Sequence, residues 1–151
     1  MRILTAALAV GLCLAGAFAC SRAHPPVGRW EGTYESNDAM VAARVQIDSS
    51  GNVYVSAPDA MDFPPPSEDQ RAAMHARLAQ GLANAWGEVQ PRHYDFDGSV
   101  FRKPGGIAPQ MEWDARAGQM TLIVYLERRP GIRIPLRAVS DFSPDPWSTT
   151  S

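Results

Sequence analysis

His93, Asp95 and Asp97 occupy alternate positions. On an extended strand such residues share a face, roughly 6–7 Å apart from one to the next. An imidazole with two carboxylates can ligate a divalent cation. These three are therefore the candidate metal site, and they carry a reading as a metal-binding module or metal-dependent hydrolase. The competing reading is a solvated face opposite Tyr94 and Phe96, with Asp97-Gly98 shaping a hairpin turn. Residues 95–99 (DFDGS) also have the look of a calcium loop, but the later bidentate glutamate is missing. His75 lies at the edge of a helical apolar arc, where a hydrogen-bonded structural histidine is the ordinary expectation. His24 sits in an extended segment without fixed partners. There is no G-x-S-x-G elbow, and Lys103-Pro104-Gly105-Gly106 lacks the strand-to-helix setting of a phosphate loop. No catalytic residue is assigned, and nothing in the pattern calls for a cofactor.

Arg128, Arg129, Arg133 and Arg137 gather positive charge towards the end of the chain. They suit a solvated strand face, or contact with anionic headgroups or an acidic partner. The 151 residues carry a formal net charge of −2, which argues against a protein that binds a nucleic-acid backbone. Apolar residues make up 45% of the chain, enough to support a packed core.

The reactive side chain with the most specific placement is Cys20. Met1-Arg2 is followed by an uncharged run from residue 3 to 19, ending in Ala17-Phe18-Ala19, an A-x-A pattern that a signal peptidase accepts. Cys13 would leave with this leader and Cys20 would begin the mature chain. Residues 17–20 resemble the end of a bacterial lipoprotein signal. That resemblance implies acylation of Cys20 and a protein held on the cell envelope facing the periplasm, with the outer membrane favoured by Ser21. Ordinary secretion with a free Cys20 is the alternative. The expected organisation is a signal peptide over 1–19, a lipidated tether over 20–27, a β-rich domain over 28–142 and a flexible tail over 143–151.

Period-two hydrophobicity dominates the domain. Strands are predicted at 29–35, 41–48, 52–57, 93–97, 99–103, 109–114, 119–126 and 132–138. Gly51 suits a left-handed turn position that pairs Ile47 with Val53. A five-residue loop over 127–131 would pair Leu126 with Ile132 and keep one apolar face, because a one-residue slip would expose every core side chain. One amphipathic helix is predicted over 67–86, opened by the S-x-x-Q capping box of Ser67 and Gln70 and ended by Gly87. Met74, Leu78, Leu82, Ala85 and Trp86 share its apolar face. The fold class is mainly β: an antiparallel up-and-down sheet or small barrel of seven to eight strands with one inserted helix.

Strand one opens GRWEGTY, and its Gly28-x-Trp30 entry resembles that of lipocalin-like and avidin-like barrels. The resemblance implies a pocket for a small apolar ligand, and an arginine of the last strand, Arg137 or Arg133, stacked over Trp30. Trp30, Trp113, Tyr125 and Arg137 are the candidate ligand-binding residues. The functional expectation is a lipid-anchored, non-enzymatic envelope protein that binds a small apolar ligand or an envelope partner, with the membrane itself a partner. A structural or inhibitory interaction module, gripping through loops 107–110 and 127–131, is a further alternative.

Overall fold

The structure, a computed structural model, describes residues 23–148 apart from 38, 59–60, 63–66 and 128–129. The expected leader, Cys20, Arg128 and Arg129 lie outside the described residues. Nine strands and one helix follow in the order β1 (Gly28–Glu35), β2 (Ala39–Ile47), β3 (Val53–Ser56), β4 (Met61–Asp62), α1 (Glu68–Trp86), β5 (Asp95–Phe96), β6 (Val100–Arg102), β7 (Pro109–Asp114), β8 (Gln119–Val124) and β9 (Ile132–Val139). No described helix is long and apolar enough to cross a membrane.

The strands form one antiparallel sheet in the order β3-β2-β1-β9-β8-β7-β6-β5, with β4 pairing β2 beyond the end of β3. Two meanders are thus joined through β1 and β9, with Trp30 opposite Ala138. The sheet curls into a half-barrel. Its end strands come close enough for Val53 and Arg92 to exchange two hydrogen bonds, at 3.1 and 2.8 Å. The helix is inserted in the chain at this seam, between β3–β4 and β5.

Alternation explains the concave face. Trp30 opposes Val45, Val45 opposes Val55, and Ile47 opposes Val53 as the Gly51 turn requires, with Gly51 at φ +82°. On the other side Phe96, Phe101, Met111, Leu122 and Ile134 form one continuous cross-strand row. The interior is filled by these side chains: Val45, Phe101, Met111, Met120 and Ile134 are fully buried.

The β8–β9 register differs from the expectation. Ile132 pairs with Val124 instead of Leu126. The offset is two residues, so the same face stays inward and burial is indifferent to it. The longer connection leaves Tyr125 free to donate its hydroxyl to the Pro109 carbonyl at 2.7 Å.

On the convex side α1 packs over β2 and β3, burying Leu78, Ala79 and Leu82. Consequently β2 is buried on both faces, with Met40, Ala42 and Arg44 outward and Val41, Ala43 and Val45 inward. Ser67 and Gln70 form the expected capping box.

Candidate functional site

The structure does not bring His93, Asp95 and Asp97 together. β5 is only Asp95–Phe96, because Arg92 is bridged to Val53 before it and the Asp97-Gly98 turn follows it. His93 therefore precedes the strand, and all three side chains are exposed. Asp97 Oδ1 accepts the backbone N–H groups of Ser99 and Val100 at 3.0 and 2.8 Å, while Oδ2 accepts Arg102 Nη1 at 2.7 Å. The Arg102 guanidinium first, and then these backbone donors, hold the Asp97 carboxyl far below the usual carboxylate range. Among the described residues no three His, Cys, Asp or Glu side chains form a metal-binding group.

Of the four candidate ligand-binding residues the structure brings only Trp30 and Trp113 together. Trp30 and Trp113 meet edge to face inside the sheet, with ring centroids 5.9 Å apart. The Trp30 ring lies over Gly28, where an added Cβ would stand 3.1 Å from its rim. That contact gives the Gly28-x-Trp30 spacing a local reason. Arg137 does not cover Trp30. The residue opposite Trp30 is Ala138, so Arg137 projects from the convex face beside Glu31. Arg133 shares that face and forms a bidentate pair with Glu112. Tyr125 lies past the end of β8 and is half-exposed.

A buried polar site on the convex face was not singled out from the sequence. Glu31 is completely buried on β1, flanked in register by Arg44 on β2 and Arg137 on β9. Its Oε1 accepts Arg137 Nη2 at 3.1 Å and its Oε2 accepts the Ser143 N–H at 2.9 Å. Arg44 Nη2 donates to the Ser143 carbonyl at 2.6 Å, and its guanidinium lies 5.0 Å from the Phe142 ring centre. Burial pushes the Arg44 guanidinium below its ordinary value, and the Glu31 charge opposes that shift. These charges fasten residues 142–147 to the convex face. Phe142 packs edge to face on Trp86, and Trp147 stacks on His75 at 4.1 Å. His75 Nε2 lies 2.9 Å from Glu35 Oε2, and Arg71 pairs with the other oxygen. The stretch expected to be a flexible tail thus makes contacts with the fold through Ser143 and Trp147, and Trp147, its one aromatic residue, was the available signal. Between this strap and α1 runs a groove of about 530 Å³ that includes Ala76, Ala83, Pro144 and Asp145 in its walls.

The two ends of the sheet differ. At one, the Tyr125–Pro109 bond ties the start of β7 to the β8–β9 loop, and Ile107, in the loop just before β7, is 91% exposed. At the other are the β2–β3, β5–β6 and β7–β8 turns and the start of β1. No protein-family model matches the chain, and no curated protein or solved structure is significantly similar to it.

Proposed function

We propose that this chain is a lipid-anchored cell-envelope protein, acylated at Cys20 and facing the periplasm, that binds a protein partner through its exterior. The filled concave face carries this reading. A lipocalin-like container needs a cavity of several hundred Å³, whereas the described interior is occupied by Phe101, Met111, Met120, Ile134 and the Trp30–Trp113 pair. The best-placed carboxylates also have structural duties. Glu31 fastens the strap, Glu35 joins Arg71 and His75, Asp97 caps a turn, and Glu112 pairs with Arg133. This disposition favours binding over catalysis. The exposed Ile107 and half-exposed Tyr125, at one end of the sheet, are the surface assigned to the partner.

Metabolic labelling with palmitate tests the anchor, with label expected in the natural chain and absent from Cys20→Ser. A photocrosslinking residue at position 107 is expected to capture a stoichiometric envelope protein in intact cells, while one at position 73 on α1 captures none. Saturable binding of an apolar fluorescent dye that quenches Trp30 would instead favour a ligand container.

A further inference from the structure

We infer that the sheet end bearing the β2–β3, β5–β6 and β7–β8 turns abuts the bilayer, and that the end bearing Ile107 points away from it. This inference rests on the lipid-anchor reading and adds the orientation of the domain. Ala23 marks where the tether meets the fold. It lies beside the β5–β6 turn, where a Cβ built on Gly98 would sit 3.5 Å from its own. Ala23, His24 and Pro25 also line a hollow with Ser50 and Gly51 from the β2–β3 turn and Tyr94 and Phe96 from the other side of the seam. Three residue steps separate Ala23 from Cys20, and fully extended chain covers at most about 11 Å over that interval. The acyl chains must enter the bilayer from Cys20, so this tether cannot let the domain turn over.

The three turns are short and compact, so they allow this end to lie close to a surface. Each begins with an aspartate whose carboxylate folds back onto its own backbone. Asp48 accepts the N–H groups of Ser50 and Asn52, Asp97 those of Ser99 and Val100, and Asp114 those of Arg116 and Ala117. The tips that remain are small residues with one cation: Ser49, Ser50 and Gly51; Gly98 and Ser99; Ala115, Arg116, Ala117 and Gly118. Val27, 60% exposed, adds an apolar side chain at the same end. Asp95 and Asp141 are exposed at this end as well, Asp141 paired with Arg29 at 2.9 Å, so it is the short tether and not charge attraction that sets the orientation.

With Cys13 removed and Cys20 acylated, an introduced cysteine is the sole free thiol. The full lipidated chain carrying Ser50→Cys, Arg116→Cys or Ile107→Cys is labelled with a fluorophore. It is then placed in vesicles of phosphatidylethanolamine and phosphatidylglycerol containing a headgroup spin-labelled lipid. Quenching at 50 and 116 is expected to exceed that at 107 at least threefold. A ten-residue Gly/Ser spacer between Arg22 and Ala23 is expected to abolish the contrast. Equal quenching at 50 and 107, or stronger quenching at 107, overturns the orientation while the anchor stands. Contrast that survives the spacer overturns the short tether as its cause. Absence of palmitate from the natural chain, or palmitate retained by Cys20→Ser, defeats the anchor reading and the orientation with it.

Discussion

Glu31 and Arg137 face each other across β1 and β9, the strand pair joining the two meanders, and their side chains meet at 3.1 Å. Glu31 is 1% exposed and Arg137 40% exposed, so the arginine can turn to water and the carboxylate cannot. Arg44 is the second cation that depends on Glu31, and it too is buried. Removing the anion leaves Arg44 uncompensated and the Ser143 N–H without its acceptor. Breaking a buried pair in this way costs about 3 kcal/mol. Glu31→Ala is expected to lower the urea midpoint accordingly, and Arg137→Ala by less, because Glu31 then keeps the Ser143 N–H and the neighbouring Arg44 charge. Equal effects from the two variants would show that Glu31 does not serve Arg44 and the strap.

Gly32 lies against β9 just beyond the paired stretch of β1. A Cβ there would stand 2.3 Å from the Pro135 carbonyl oxygen and 3.2 Å from the Leu136 Cα. Those are backbone atoms of a strand held on both sides, so relief requires the strand pair to shift. Gly32→Ala is expected to destabilise by about 2 kcal/mol, the usual scale of overpacking. Gly51→Ala meets no neighbouring atom and bears only its backbone strain at φ +82°. Thermal unfolding of both variants separates crowding from strain, and a smaller effect at Gly32 would refute the crowding argument.

The inward faces were legible because alternation is local. Ile47 opposite Val53 needed only residues 41–55 and one glycine. The β8–β9 pairing shows the limit of that logic, since a two-residue offset leaves the same side chains inward. Ile132, Ile134 and Leu136 inside already require Arg133 and Arg137 outside, which conflicts with the stacking over Trp30 that the barrel resemblance implies. Glu31 was hidden for a different reason. Its burial depends on Arg137 and Ser143, more than a hundred residues away, and no short-range pattern specifies those contacts. His93, Asp95 and Asp97 have the spacing of a shared strand face, but the strand that would align them is two residues long.

Acid should weaken the fold through the turn and surface carboxylates. Arg102 and backbone donors hold the Asp97 carboxyl down, Asn52 does so chiefly for Asp48, and Arg133 for Glu112. A carboxylate depressed in the folded state binds fewer protons there than in the unfolded chain. Its stabilisation is therefore complete above the unfolded value near 4 and is lost as pH falls through the folded value. Urea midpoints are expected to be level from about pH 8 to 5 and to decline below about pH 4. Asp97→Asn is expected to be less stable than the natural chain at neutral pH, with the gap narrowing towards pH 2. A gap that widens in acid would contradict the sign of the shift.

The strap gives a prediction that separates a docked segment from a free tail. Trp147 stacks nearly parallel to the His75 ring, with 10° between planes, while Phe142 packs on Trp86 and Ser143 bonds to Glu31 and Arg44. An aromatic pair contributes about 1 kcal/mol beyond its buried area. Trp147→Ala is therefore expected to destabilise by about 1–2 kcal/mol and to shift the His75 ring-proton resonances downfield as the indole ring current disappears. Truncation after Phe142 also removes both backbone partners supplied by Ser143, leaving Arg44 and Glu31 less satisfied beneath an uncovered helix flank. Its loss should reach about 3 kcal/mol, because buried polar groups would be left without acceptors or donors. Phe142 and its contacts with Trp86 and Arg44 are retained in that truncation, so the comparison isolates residues 143–151. Unchanged stability in the truncated chain, with His75 resonances where they were, would mean that the stretch hangs free in solution.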